Sequence, residues 1–123
     1  MKRILVVEDK ATSRELLRAV LERQGYLVLE AANGQEALQR IQQESPDLVL
    51  LDLQIPAPNG YEVLKQIRGD RRLAGLPVVA LTASAMQGDR ERALAAGFTG
   101  YIAKPVALSH LRDEVSRLLG PRN

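Results

Sequence analysis

Polar side chains that suit phosphoryl chemistry follow the short apolar runs of this chain. Two carboxylates follow the first run, another follows the third, a hydroxyl follows the fourth and an ammonium group follows the fifth: Glu8 and Asp9, Asp52, Thr82 and Lys104. If these runs are strands of one parallel sheet, their carboxyl ends meet at the same edge, where ligands of such sheets bind. An aspartate can attack phosphorus to form an acyl phosphate, and cationic or hydrogen-bonding groups can neutralise the phosphoryl oxygens.

Three carboxylates at close range repel one another and do not stay ionised unaided. A hard divalent cation removes that repulsion. Mg²⁺ prefers oxygen ligands, keeps several waters, and is usually held by one or two carboxylates plus phosphate oxygens. The set has too few ligands for a caged Ca²⁺ site. We therefore expect Mg²⁺, with Mn²⁺ as an alternative, and expect Lys104, Thr82 and the backbone N–H of Ala83 to stabilise a bound phosphoryl group.

The elements that must position these residues alternate between apolar strands and amphipathic helices. We expect strands at 3–7, 27–31, 48–51, 78–81 and 101–103, and helices over 11–24, 33–45, 61–67, 86–96 and 108–119. The inward faces of the first and last helices should include Leu16 and Leu108, and Asn33 with Glu36 forms a capping-box pattern. The second strand should bring no polar group to the edge before Asn33.

This alternation predicts an α/β fold, a doubly wound five-stranded parallel sheet of order 2-1-3-4-5 with five helices, which is flavodoxin-like. The third and fourth strands are continuously apolar, as is typical of strands covered on both faces. We expect one domain at 1–120 and a C-terminal tail at 121–123.

Composition excludes several other classes of function. Seventeen Lys and Arg against fifteen Asp and Glu give a net charge of +2, which does not call for nucleic-acid binding. The cluster Arg68, Arg71 and Arg72 is interpreted as a solvated loop, and His110 as a surface residue. Without cysteine there is no disulfide, thiolate metal site or cysteine nucleophile. No apolar run would span a bilayer and no signal peptide is evident, so we expect a cytoplasmic protein without a membrane partner.

Over nearly its whole length the sequence resembles the receiver domain of two-component response regulators. The resemblance rests on VVED at 6–9, LLDLQIP at 50–56 with NG at 59–60, ALTA at 80–83, and YIAKP at 101–105. Each fragment alone is weak, but their order at consecutive strand ends is specific. The stretch from ASAM to YIAKP is especially similar to stand-alone cell-cycle receivers and to receivers of hybrid kinases. Either a single-domain regulator or a receiver cut from a longer protein fits the sequence.

The resemblance implies a role for each site residue. Asp52 would be phosphorylated, Asp9 would bind Mg²⁺ directly and Glu8 through water, and the backbone carbonyl of Gln54 would be a further ligand. Gln54 and Ser84 occupy positions that tune the lifetime of the acyl phosphate. Proline at position 58 should stiffen the turn after Asp52.

The resemblance also implies a switch and partners. Lys104 would pair with the phosphoryl group, its bond to Pro105 would be cis, Thr82 would move towards the phosphoryl group, and Tyr101 would rotate inward. The phosphoryl donor would be a histidine kinase or a histidine phosphotransfer protein. The fourth helix, fifth strand and fifth helix would then signal to a downstream effector protein or domain. The module would assist its own phosphorylation and dephosphorylation without being an enzyme in the usual sense.

Alternative interpretations make different demands on the sequence. A haloacid-dehalogenase-type phosphatase needs a second acid two residues after its nucleophile, where this chain has Gln54. A flavin or nucleotide binder should show a glycine-rich phosphate loop, which is missing, and the chain has only three Tyr and one Phe for stacking. A receiver that acts by docking alone should lack an acid, Thr82 or Lys104. Taken singly, Thr82 could be a helix cap, and Lys104 could form a structural ion pair with Asp52.

Overall fold

The computed structural model describes residues 1–83 and 86–120. Its elements follow the predicted alternation: β1 (Arg3–Val7), α1 (Ala11–Arg23), β2 (Leu27–Ala31), α2 (Gly34–Glu44), β3 (Leu48–Asp52), α3 (Gly60–Arg68), a 3₁₀ turn (Arg71–Leu73), β4 (Val78–Thr82), α4 (Asp89–Ala96), β5 (Gly100–Ala103) and α5 (Leu108–Leu119). All strand pairs are parallel, in the order β2-β1-β3-β4-β5, so the predicted fold and strand order are confirmed.

Alternate residues of each strand face two separate cores, as the two-residue repeat of a strand requires. On one side Leu5 and Leu51 pack with α2 and α3, and on the other Ile4 and Leu50 pack with α1 and α5. Every residue of β3 and of β4 is buried. Each such aliphatic side chain contributes about 1.5–3 kcal/mol on burial, so the two central strands form the rigid base of the carboxyl-end edge.

Three details of the helices differ from the sequence prediction. Helix α4 begins at Asp89 rather than at 86. Gly88, the residue before it, adopts a left-handed conformation (φ 90°) that cannot belong to a right-handed helix. Leu16 and Leu108, expected to face inward, are 57% and 37% exposed. Leu17 and Leu21, spaced four residues apart, carry the buried stripe of α1 instead.

Capping contacts fix the end of the β3–α3 loop at the point where α3 begins. Asn59 accepts from the Glu62 N–H and Glu62 accepts from the Asn59 N–H, at 3.1 and 2.8 Å, which is a complete capping box. The predicted box on α2 is only half formed, because the Glu36 carboxylate reaches the N–H of Ala32 rather than that of Asn33. The complete box fixes the backbone conformation at the start of α3.

The basic cluster that follows α3 is not uniformly solvated. Arg71 and Arg72 are exposed, but the guanidinium of Arg68 is half-buried and donates to backbone carbonyls of the loops below the sheet. The prediction of a solvated loop is therefore wrong for Arg68. Within residues 1–83 and 86–120, no helix combines the length and apolar character needed to cross a membrane.

Candidate functional site

Three carboxylates converge at the carboxyl ends of β1 and β3. One oxygen from each of Glu8, Asp9 and Asp52 can be chosen so that all three lie within 4.8 Å of one another. Glu8 is fully buried, Asp52 is 3% exposed and Asp9 is exposed. The register explains this convergence, because Val7 pairs with Leu51 and the next residue of each strand is an acid. These oxygens are hard donors of the kind that Mg²⁺ prefers, and they are open to solvent on the Asp9 side.

Lys104 brings the single ammonium group of this cluster. Its Nζ lies 2.6 Å from Glu8 Oε2 and 2.8 Å from Asp52 Oδ2, so it bridges the two buried acids. The residue follows β5, an edge strand, and its long side chain spans β4 to reach β3. Its backbone N–H donates to the carbonyl of Thr82 at 2.8 Å, which fixes the base of the side chain. The peptide bond between Lys104 and Pro105 is cis, as is that between Ala57 and Pro58.

The electrostatics of the cluster favour an additional cation. Burial raises the pKa of the Glu8 carboxyl, the neighbouring Asp52 raises it further, and Lys104 opposes the shift. Burial lowers the pKa of the Lys104 ammonium, but the hydrogen bonds and charges of Asp52 and Glu8 outweigh it and the net shift is upward. When all four groups are ionised, three negative charges face one positive charge, leaving an excess of two. A divalent cation would neutralise that excess, so the donor set fits Mg²⁺.

The turn after β3 folds back over Asp52. The N–H of Gln54 donates to Asp52 Oδ1 at 2.9 Å, and the N–H of Leu53 donates to the carbonyl of Leu81 at 2.9 Å. Gly60 allows this close approach: a Cβ at that position would lie 2.7 Å from the Cα of Leu53. The backbone of Gln54 therefore lies beside the carboxylate that the sequence marks as the nucleophile.

Of the remaining predicted residues, Thr82 and Ala83 lie at the end of β4 and Tyr101 lies on β5. Thr82 ends β4 and is 2% exposed, Ala83 is exposed, and Ser84 lies outside the described residues, so its assigned role stays a prediction. The Tyr101 hydroxyl is buried and has no hydrogen-bond partner among the described residues. Burial raises the pKa of this phenol, and the nearby charge of Asp89 adds to the shift. A cavity of 240 Å³ beside α4 is lined by Gln54, Thr82 and Asp89, among other residues.

One contribution to the site was missed from the sequence. Strand β2 was expected to bring nothing polar before Asn33, yet Glu30 on that strand holds Arg14 of α1, which donates to the backbone carbonyl of Glu8. The available signal was an acid in the middle of an otherwise apolar strand, Leu27–Ala31. A charged residue in such a strand indicates a partner on the helix that covers it.

Comparison with known proteins places this geometry in a family. The model of the response regulator receiver domain matches residues 4–116. Among curated proteins, the polar-differentiation response regulator DivK of Brucella anthropi is 38% identical over 119 residues, covering 97% of each chain. The DivK protein of Brucella ovis is 37% identical over the same length and coverage.

Solved structures show the same likeness. A response regulator from Chloroflexus aurantiacus superposes with a TM-score of 0.91 at 34% identity, covering 98% of both chains. The chemotaxis protein CheY4 of Vibrio cholerae gives 0.88 at 29% identity, covering 96% of this chain and 98% of its own. The receiver domain of the sensor histidine kinase PA1611 from Pseudomonas aeruginosa, solved with a magnesium ion in its active-site cleft, gives 0.88 at 35% identity and 98% coverage of both.

Proposed function

The chain belongs to the response regulator receiver domain family, and on that premise we propose that it accepts a phosphoryl group on Asp52 from a phosphohistidine in a Mg²⁺-dependent reaction. Members of this family are signalling domains of two-component phosphorelays rather than enzymes in the usual sense, and they interact with histidine kinases and downstream effectors. The proposal for this chain concerns which residues take each part.

The observation that carries the proposal is the environment of Asp52. Its carboxylate is nearly buried, is held by the Gln54 N–H and the Lys104 ammonium, and shares an oxygen cluster with Glu8 and Asp9. These contacts orient the Asp52 carboxylate, and the Lys104 ammonium can move from it to the phosphoryl oxygens. Phosphoryl transfer depends mainly on this kind of positioning and charge neutralisation.

In the proposed reaction a carboxylate oxygen of Asp52 forms an O–P bond as the N–P bond of the donor phosphoimidazole breaks. The electron pair of that bond stays on the imidazole nitrogen. Asp9, Asp52 and the backbone carbonyl of Gln54 would hold Mg²⁺, with Glu8 acting through water. The bound metal would neutralise the phosphoryl oxygens. Lys104, already 2.8 Å from Asp52 Oδ2, would donate to one of the same oxygens.

The product would act as a switch. A phosphoryl group adds about −1.5 to −2 charge at neutral pH, and Thr82 with the N–H of Ala83 would bind it. Tyr101 lines a groove of 810 Å³ formed by α4, β5 and α5, and its buried hydroxyl would respond to movement of that segment. Helix α4 buries only Ala93, so little packing energy opposes its displacement. We propose that this surface signals to a downstream effector protein or domain.

Intact-mass spectrometry with acetyl phosphate as a small phosphodonor tests the assignment. Wild type should gain the mass of one phosphoryl group with Mg²⁺ and none with excess EDTA. Asp52→Asn should gain none. Asp47→Asn is the matched control, because Asp47 lies at the opposite edge of the sheet, where it accepts from the Arg3 N–H. No adduct on wild type, or an undiminished adduct on Asp52→Asn, would refute the proposal.

A further inference from the structure

We propose that Arg14 is a positioning residue for the metal site and that Glu30 holds its guanidinium in place. The inference rests on the function proposed above and adds a part of the site supplied by α1 and β2. Arg14 Nη1 donates to the backbone carbonyl of Glu8 at 2.8 Å, and Arg14 Nε donates to Glu30 Oε1 at 3.2 Å. The side chains of Arg14 and Glu30 are 20% and 27% exposed, so the arrangement is largely shielded from water.

These contacts fix both backbone groups of Glu8. The Glu8 N–H donates to the carbonyl of Ala31 on β2 at 3.0 Å, and its carbonyl accepts from Arg14. Glu8 is fully buried, so this carbonyl depends on Arg14 rather than on solvent. A buried carbonyl left without a donor is unfavourable because it loses its hydrogen bond and gains none from water. Without Arg14, the peptide between Glu8 and Asp9 would be expected to rotate towards water.

That rotation would move the proposed direct metal ligand. The Glu8 carbonyl and the Asp9 nitrogen belong to one planar peptide unit, so rotation of that unit also moves the backbone from which the Asp9 side chain extends. The Asp9 carboxylate is exposed and accepts no hydrogen bond from the described part of the chain. Its backbone is therefore what holds it towards Asp52.

Charge and position predict opposite effects at Arg14. A guanidinium near the acidic cluster repels a divalent cation, so removal of its charge alone would tighten Mg²⁺ binding. Loss of the hydrogen bond to Glu8 would weaken binding instead. The sign of the change in affinity therefore separates the two roles.

The chain offers a matched control one helical turn away. Arg18 also pairs with Glu30, at 2.8 Å from its second carboxylate oxygen, but its other contact is to Glu22 and not to the β1 end. Arg14→Met and Arg18→Met each remove one positive charge and one ion pair with Glu30. Only Arg14→Met removes the donor to the Glu8 carbonyl.

Isothermal titration calorimetry with MgCl₂ measures the Mg²⁺ affinity of each variant. Arg14→Met should bind Mg²⁺ about tenfold more weakly than wild type, the usual cost of losing a group that orients a metal ligand. Arg18→Met should stay within about twofold of wild type, and Arg14→Lys should recover part of the loss because it keeps a donor. With acetyl phosphate, Arg14→Met should need about tenfold more Mg²⁺ but approach the wild-type rate at saturation. A purely structural defect would lower that saturated rate.

Binding by Arg14→Met that equals or exceeds wild type would overturn the inference, as would equal weakening in Arg18→Met. If Arg14→Met does not fold, Glu30→Gln takes its place: it keeps the charge of Arg14 and should still weaken Mg²⁺ binding relative to Glu22→Gln. Equal affinity in those two variants would also overturn it. If wild type gains a phosphoryl group and Arg14→Met binds Mg²⁺ as wild type does, this inference alone is wrong. If wild type neither binds Mg²⁺ nor gains the phosphoryl group, the proposed function is wrong as well.

Discussion

The carboxyl-end edge of the sheet and the amino-end edge, where the strands begin, differ in how their charges are balanced. At the carboxyl-end edge, the carboxylates of Glu8, Asp9 and Asp52 lie together, and the Lys104 ammonium bridges Glu8 and Asp52. At the amino-end edge, arginines donate to backbone carbonyls: Arg3 to Glu44, Arg68 to Gly97 and Leu76, and Arg117 to Thr99. One edge therefore concentrates like charges that a further cation would balance, whereas the other places each of these arginines against a neutral carbonyl, with Glu114 as an additional partner of Arg117.

This contrast shows where stability and function lie in the molecule. Burial lowers the pKa of the Arg68 guanidinium, yet carbonyl acceptors surround it, so the charge is solvated by the protein itself. Burial raises the pKa of the Glu8 carboxyl, so the ionised form of this group destabilises the folded protein. We expect substitutions at the amino-end edge to change stability and leave metal binding intact. At the carboxyl-end edge, removal of a crowded carboxylate should raise stability and weaken metal binding.

The largest expected effect on stability is at Arg68. Arg68→Met removes hydrogen bonds that join α3, the 3₁₀ turn and the start of β5, including one to Thr99 Oγ1. We expect the free energy of unfolding to fall by about 3 kcal/mol, because buried carbonyls lose a charged donor. Urea unfolding measures this, and Mg²⁺ affinity should not change.

Arg71→Met is the control for Arg68, because Arg71 is exposed in the same segment. Its stability should equal that of wild type. A loss at Arg68 no larger than at Arg71, or a loss of Mg²⁺ affinity at Arg68, would break the division between the two edges.

The next effect concerns the glycine against which the β3–α3 loop packs. A Cβ on Gly34 would lie 2.1 Å from the carbonyl oxygen of Pro58, so Gly34→Ala must displace the loop that also carries Gln54. We expect a loss of about 2 kcal/mol in the free energy of unfolding and weaker Mg²⁺ binding. Gly75→Ala is the control, since among the described residues no atom beyond Gly75 and its two chain neighbours lies within 4 Å of the added methyl group. If both variants bind Mg²⁺ as wild type does, the loop does not set metal geometry.

A gain in stability is expected at Glu8. Glu8→Gln removes one of the crowded carboxylates, so at neutral pH the metal-free protein should gain about 1 kcal/mol. In Mg²⁺ the advantage should shrink, because the metal stabilises only wild type appreciably. Thermal unfolding with EDTA and with MgCl₂ measures both terms. If Glu8→Gln is less stable than wild type in EDTA, the crowded carboxylates of the acidic edge do not destabilise the metal-free protein.

At the amino-end edge, Glu114→Gln should change the free energy of unfolding in the opposite direction and by the smallest amount. The hydrogen bond from Arg117 holds the pKa of the Glu114 carboxyl below its ordinary value of about 4.5. A lowered pKa means stability that is present above pH 4.5 and is lost as pH falls through the folded value. Glu114→Gln should cost about 0.5 kcal/mol at pH 7, since solvent screens the pair. In denaturant unfolding across pH, that difference should vanish at low pH, and a constant difference would exclude the ion pair as its cause.

Periodicity and strand-end chemistry predicted the fold and the convergence of Glu8, Asp9, Asp52 and Lys104, because parallel strands deliver their carboxyl ends to one edge. The same reasoning could not find Arg14 or Arg68. Their partners are backbone carbonyls or residues far away in sequence, and a carbonyl gives no sequence signal. It also placed the start of α4 too early, because the left-handed conformation of Gly88 cannot be inferred from a glycine alone.

The position of the phosphoryl group shows directly whether the acidic edge serves to phosphorylate Asp52. After reaction with acetyl phosphate and Mg²⁺, borohydride reduces an aspartyl phosphate to homoserine, which tandem mass spectrometry can place in a digest. We expect homoserine at position 52 and at no other aspartate, and none when EDTA replaces Mg²⁺. A phosphoryl group on His110 or on another acid, with residue 52 still aspartate, would contradict it.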